Sequence, residues 1–291
     1  MADDARAGTD LDRLILELRP ALHRYCARMV GSAFEGEDVV QDALAKAAEA
    51  WSSAGVLERP QSWLFRIAHN TALDALRHRR RQAALEARAS AALDNPAVAD
   101  ARVAATSSFA TLMALTPAQR SCVVLVDVLG HSLDEACDVL GVTAPAAKAA
   151  LHRGRLRLRE LAAVEGPAPA LDPQMLRRLR DYADRFNARD FDALRALLAE
   201  DVRLDLVNRT HLAGRKDVGV YFTRYGEAAF SWLMSVGVAD GRPAILVRDP
   251  LDPPGTARWV VLLNWNNGQI AVIRDFLYAD YVMESVTVAA L

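Results

Sequence analysis

The chain has 291 residues, 52% of them hydrophobic and 25% charged, which suits about two or three compact domains and argues against a disordered protein. Lys and Arg number 35 against 37 Asp and Glu, a formal net charge of −2, so no overall positive field marks a nucleic-acid binder and any such case rests on local clusters. Cys26, Cys122 and Cys137 lack C-x-x-C or Cys/His ligand spacing, which argues against a disulfide framework and a zinc site; no metal and no other cofactor is expected.

The opening MADDARAGTD is acidic where a signal peptide would be basic and then apolar, and residues 1–10 read as a flexible tail. No apolar run approaches the roughly 20 residues of a membrane span, so a cytoplasmic protein with no membrane partner is expected. From there to about Val164 the sequence is dense in Ala, Leu and Arg and reads as all helix. Glu35, Glu37, Asp38 and Asp42, with Gln41 among them, make an acidic helix start. It either compensates the helix dipole or offers a docking surface for a basic partner.

Arg59-Pro60 opens a longer helix. Leu64, Ala68, Thr71, Ala72, Ala75 and Leu76 form an apolar stripe, and Arg66, Asn70, Asp74, Arg77 and Arg81 line another face. Such a face is usually only solvated. Here cations and an amide stand beside Trp63 and Phe65, side chains that can stack on unpaired bases, which suits single-stranded DNA. Ala-rich residues 82–105, broken at Asp94-Asn95-Pro96, read as a linker.

The second helical block carries two capping boxes, Thr116-Pro117-Ala118-Gln119 and Ser132-Leu133-Asp134-Glu135, and a stop at Gly141. Thr143 then caps a third helix, with Ala147 and Leu151 facing inward. Pro145, Lys148, His152 and Arg155 lie on its outer face. Two short helices around a Gly-containing turn, the second with a basic outer face, form a helix-turn-helix pattern. The run of Lys148, Arg153, Arg155, Arg157 and Arg159 is either a solvated helix end or a phosphate-binding face.

Gly166-Pro167-Ala168-Pro169-Ala170 is a stiff linker. Beyond it, helices at Pro173 to Asn187 and Phe191 to Leu198 give way to alternating strands. Trp259, Val261, Leu263 and Trp265 share a face, Asn267-Gly268 makes a hairpin turn, and Ile270 to Tyr278 returns, so this part is α+β.

Glu37-Asp38-Val39-Val40-Gln41-Asp42, followed by Arg59 through Asn70 and Asp74, resembles region 2 of bacterial extracytoplasmic function (ECF) sigma factors. Leu115 to Leu161, with Asp127-Val128-Leu129-Gly130 and Ala150-Leu151-His152-Arg153, resembles their region 4. The phrase Asn187 to Val202 resembles the SnoaL-like polyketide cyclase branch of the nuclear transport factor superfamily. These resemblances imply a multidomain chain: a region 2 helical bundle (11–83) and a region 4 helix-turn-helix (107–165), both all-α, then an α+β cone-shaped SnoaL-like domain (173–288), with linkers at 84–106 and 166–172.

The resemblance further implies binding to core RNA polymerase through Asp38, Gln41 and Asp42. It puts Arg66, Asn70, Asp74 and Arg77, with Trp63, at the melted −10 promoter element. Lys148, His152 and Arg153, joined by Thr143 and Arg155, fall at the −35 element. Ala144-Pro145-Ala146-Ala147 is poor in hydrogen-bonding side chains, so that readout leans on phosphates and DNA shape. The C-terminal domain would regulate transcription initiation in cis and bind a small-molecule ligand. Its candidate pocket is Tyr182, Asp205, Trp232, Trp259, Trp265, Asp275 and Tyr278, with Asp205 and Asp275 as candidate bases if it is instead a cyclase or isomerase carrying a DNA-binding helical half. A plain helix-turn-helix repressor is a third reading, which the single-strand face at 59–81 disfavours.

Overall fold

The structure, a computed structural model, describes residues 2–51, 53–55, 57–92, 109–161, 172–228, 231–253 and 256–291, with backbone alone at 2–10 and 86–92. It divides into two compact units, 1–167 and 168–291.

The first unit is helical: α1 (Ala2–Val30), α2 (Ala33–Trp51), α3 (Pro60–Ala92), α4 (Ala110–Met113), α5 (Pro117–Val123), a π-helical turn (Val124–Val128), α6 (Leu133–Leu140) and α7 (Ala144–Leu161). α1 begins at Ala2 and so runs through residues where a flexible tail is expected, and α3 continues through its Ala-rich end past 83. The rest of the expected linker 84–106, and nearly all of 166–172, lies outside the described residues.

α1 and α2 approach closely because Gly36 lacks a side chain: a Cβ there would lie 2.5 Å from the Ala27 Cα. Leu22, Tyr25, Met29, Val40, Leu64 and Ala68 build a core that also takes in Val124, Leu125, Ala136 and Val139, so both helical blocks share one interior. The loop ends follow local chemistry. Thr116 and Ser132 each accept from the backbone three residues on while Gln119 and Glu135 reach back, and Gly141 stops α6 at φ 65°, a conformation that suits glycine. The π turn carries no signal in the sequence.

The second unit has α8 (Pro173–Asn187), α9 (Phe191–Ala196), β1 (Leu198–Leu206), β2 (Thr210–Ala213), α10 (Arg215–Glu227), β3 (Leu233–Ala239), β4 (Arg242–Arg248), β5 (Trp259–Asn266), β6 (Gln269–Asp275), α11 (Asp280–Met283) and β7 (Val288–Ala290). The sheet order is β2-β1-β6-β5-β4-β3-β7, antiparallel except for the β1–β6 pair. Register shifts at Leu198/Arg203 and Asn264/Trp265 bend it. Asn267 and Gly268 both take positive φ, as a two-residue hairpin turn requires. α8 packs on β3 and β4, and α10 on β1 and β2, closing one sheet face as an α+β fold.

Candidate functional site

The acidic start of α2 is organised from below. Glu37 is fully buried and paired with Arg19 at 2.5 Å, and Glu35 pairs with Arg79 of α3 at 2.8 Å. Asp38 and Asp42 stand exposed one helical turn apart, with Gln41 between them half-buried and donating to Glu37 at 3.4 Å. The expected docking residues therefore share one face, held by carboxylates that sequence reasoning had grouped with them but that serve the scaffold.

On α3 the apolar stripe is buried, with Ala75 half-buried at its edge, and Arg66, Asn70, Asp74 and Arg77 are all exposed. Arg77 bridges back to Asp74 at 2.8 Å. Trp63 is half-buried, its ring 5.6 Å from Trp51. Phe65 does not join this face. It is only 2% exposed, packed edge-on against Tyr25 at 6.0 Å and His131 at 4.9 Å, so its position in the period belongs to the core and not to stacking on bases.

In the helix-turn-helix, Thr143, Lys148, His152, Arg153 and Arg155 are exposed, while Ala147, Ala150 and Leu151 face inward. Arg155 grips Asp127 of the π turn with two hydrogen bonds, 3.0 and 2.5 Å, and Arg157 pairs with Glu160. The basic run thus divides: Lys148, Arg153 and Arg159 have no ion-pair partner among the described residues.

Among the described residues, three hydrogen-bonding side chains also tie the two blocks together, none visible in the sequence. Arg59 pairs with Asp138 of α6, and Arg66 donates to the Asp138 carbonyl, its Nε at 3.0 Å. Arg120, 3% exposed, donates to the carbonyls of Leu112, Met113 and Leu115 and to that of Met29 at the end of α1. Burial pushes its guanidinium down to about 10, and the positive charges of Arg79 and Arg80 add to the effect.

The family models for Sigma-70 region 2 and Sigma-70 region 4 match residues 14–82 and 110–158, the two blocks just described. The ECF RNA polymerase sigma factor SigG of Mycobacterium tuberculosis is 32% identical over 206 residues, 60% of this chain. This chain spans only 55% of the length of that relative. The RNA polymerase sigma factor CarQ of Myxococcus xanthus is 33% identical over 144 residues, 49% of this chain and 83% of CarQ. The chain belongs to the ECF sigma factor family. Among solved structures, the sigma factor SigJ of Mycobacterium tuberculosis covers 89% of this sigma factor and 93% of its own chain, at 20% identity and a TM-score of 0.35.

In the C-terminal unit of this sigma factor the candidate pocket residues part company. Asp275 is wholly buried; its Oδ2 accepts from the hydroxyls of Tyr221 (2.9 Å) and Tyr225 (2.7 Å), and its Oδ1 from the Leu277 amide. Burial raises its carboxyl to about 6, against these hydrogen bonds. Tyr182, Trp232 and Trp259 join this interior: burial and then Asp275 raise the Tyr182 hydroxyl, Trp232 packs edge-on against Tyr225 at 5.3 Å, and Trp259 is buried on the strand beside Asp275.

Asp205, Trp265 and Tyr278 do not. Asp205 lies opposite Arg274 and His211 on the other sheet face, 3.1 Å from the Arg274 Nε and 3.2 Å from the His211 Nδ1, because strand alternation turns it away from Asp275. Trp265 sits half-buried under Arg178, four residues along β5 from the partner of Asp275, about 13 Å at the strand rise. Tyr278 is 45% exposed beneath Arg209. Tyr221 and Tyr225 were missed, although their i, i+4 spacing in a helical stretch is the signal that finds them.

Proposed function

We propose that this sigma factor binds core RNA polymerase through Asp38, Gln41 and Asp42, reads the −10 element with Trp63, Arg66, Asn70, Asp74 and Arg77, and reads the −35 element with Thr143, Lys148, His152, Arg153 and Arg155. In this role it initiates transcription in the cytoplasm as a specificity factor, not an enzyme, and the SnoaL-like unit regulates it in cis. The carrying observation is an exposed face of arginines, acid and amide on α3 in the same chain as a doubly capped helix-turn-helix with an exposed basic helix. A face that mixes Asn70 with arginines can hydrogen-bond base edges, the amide to adenine and a guanidinium to guanine, as well as attract phosphates.

The compact helical unit supports a further step. Arg66 is held on the Asp138 carbonyl, so its use on DNA requires it to leave that carbonyl. The test is co-elution of the full chain with core polymerase. Asp42→Lys is expected to weaken the complex at least tenfold, because it reverses an exposed charge at a complementary interface. Binding unchanged by that reversal rules out the α2 face.

A second reading has one observation in its favour. The buried Asp275, raised to about 6 and held by two tyrosines, has the character of a proton-transferring carboxyl in a cyclase or isomerase. Turnover of a small cyclic ketone, lost in Asp275→Asn with transcription intact, would favour that reading; transcription altered in Asp275→Asn without any turnover favours regulation.

A further inference from the structure

Within the helical unit, a cleft of about 550 Å³ lies between α3 and the helix-turn-helix. Its volume falls in the range of small-molecule sites, roughly 300–1,000 Å³. Leu73 and Leu76 of α3 form one wall, and Ala146 and Ala150 of α7 the other, so the floor and sides are largely apolar. Arg77, Arg80 and Arg153 stand at the rim. Arg77 is engaged by Asp74, but Arg80 and Arg153 have no ion-pair partner among the described residues. The concentration of positive charge also shows in Arg120, whose guanidinium Arg79 and Arg80 help to push down. His69 lines the same cleft with its Nδ1 engaged by the Tyr25 hydroxyl at 2.7 Å. Burial lowers it to about 4, so the ring is neutral at physiological pH and adds no repulsion towards an apolar guest.

We propose that this cleft binds a small amphiphilic anion, an apolar body carrying one carboxylate or sulfonate head. The body would pack between the leucines of α3 and the alanines of α7, and the head would lie on Arg80 and Arg153. A volume of about 550 Å³ accommodates such a molecule. Charge favours it over a neutral hydrocarbon, because guanidinium groups at the mouth of a low-dielectric cleft pair strongly with a single anion.

One wall comes from the first helical block and the other from the second. A bound anion therefore fastens the blocks together in the arrangement where Arg66 is held on Asp138. The binding step is independent of the promoter-recognition reading; only the consequence, that the ligand restrains promoter recognition, rests on it.

The test uses the folded full chain and four reagents: the fluorescent sulfonate 8-anilinonaphthalene-1-sulfonate, its neutral relative N-phenyl-1-naphthylamine, sodium sulfate, and an acidic amphipathic peptide as competitor. The sulfonate is expected to bind at one site, at least tenfold more tightly than the neutral dye, with sulfate a weak competitor. Arg80→Glu should weaken it about tenfold, the scale of one charge-assisted contact. Ala146→Trp, at an exposed position where a large side chain spares the core, should abolish it; circular dichroism checks that both variants fold.

Equal affinity for the neutral dye, or a sulfonate affinity untouched by both substitutions, overturns the proposal. So does displacement of the probe by an acidic amphipathic peptide that binds far more tightly than any small anion, which would assign the cleft to a protein helix. None of these measurements involves polymerase or promoter, so their failure is distinct from failure of the promoter reading.

Discussion

The two units bury opposite kinds of polar group. The helical unit encloses Arg120 on four backbone carbonyls, and two histidines, His23 and His69, that burial lowers to about 4. Its one fully buried acid among the described residues, Glu37, is neutralised by Arg19. The sheet unit encloses Asp275, which burial raises to about 6, with tyrosine hydroxyls and an amide as its partners. A buried ion pair or a carbonyl-bound guanidinium acts as fixed scaffolding, whereas a carboxyl that titrates near neutrality can change state. The difference places structural polarity in the half proposed to meet DNA and adjustable polarity in the half proposed to regulate it.

The largest expected effect is opposite pH dependence. Between pH 6.5 and about 4 the unfolded chain takes up protons at His23 and His69 that the folded helical unit does not. That unit's stability is therefore full above pH 6.5 and falls as the pH drops towards 4, each histidine contributing roughly 3 kcal/mol. At Asp275 the sign reverses. The folded sheet unit keeps a proton up to about pH 6 that the unfolded chain releases near 3.8, so this contribution is fully present below 3.8 and lost as the pH rises through 6. Hydrogen exchange followed segment by segment between pH 4 and 7 should show the helical unit losing protection on acidification and the strands around Asp275 gaining it. Parallel behaviour of the two units would break the comparison.

Next in size is Arg120→Met, which leaves buried carbonyls of α1 and the α4–α5 loop without their donor. It should cost the helical unit about 3 kcal/mol and leave the sheet unit's transition in place, as read by calorimetry. The matching change in the sheet unit, Tyr225→Phe, should cost about 1 to 2 kcal/mol at pH 7 and less well below pH 3.8, where Asp275 is protonated in both states. A cost independent of pH would mean that the hydroxyl serves packing and not the carboxylate. Smallest is Asp138→Asn, which removes an exposed pair with Arg59 and should change stability by less than about 1 kcal/mol in chemical denaturation.

Legibility in the sequence followed the range of the interactions. The capping boxes at Thr116 and Ser132, the stop at Gly141 and the hairpin at Asn267-Gly268 are decided within four residues, and all are where the sequence puts them. The exposed face of α3 was legible because helical periodicity is regular; Phe65 was misread because its partners, Tyr25 and His131, come from elsewhere in the chain. Arg120, the Arg66–Asp138 contact and the sharing of one core by both blocks depend on long-range packing that no local pattern encodes. In the sheet unit Asp275 was singled out, but strand alternation sends Asp205 to the other face and the length of β5 carries Trp265 away.

Reconstituted transcription tests the central claim most directly. Core polymerase supplied with the full chain is expected to start transcripts at a discrete promoter position, and Arg66→Glu together with Asn70→Ala should reduce that product at least a hundredfold while core binding persists. Residues 1–171, the helical unit with its linker, should start at the same position with a changed yield, because regulation in cis alters activity and not promoter choice. Absence of promoter-dependent product with both forms, or full activity in the Arg66/Asn70 double variant, would contradict the assignment of the α3 face to promoter recognition.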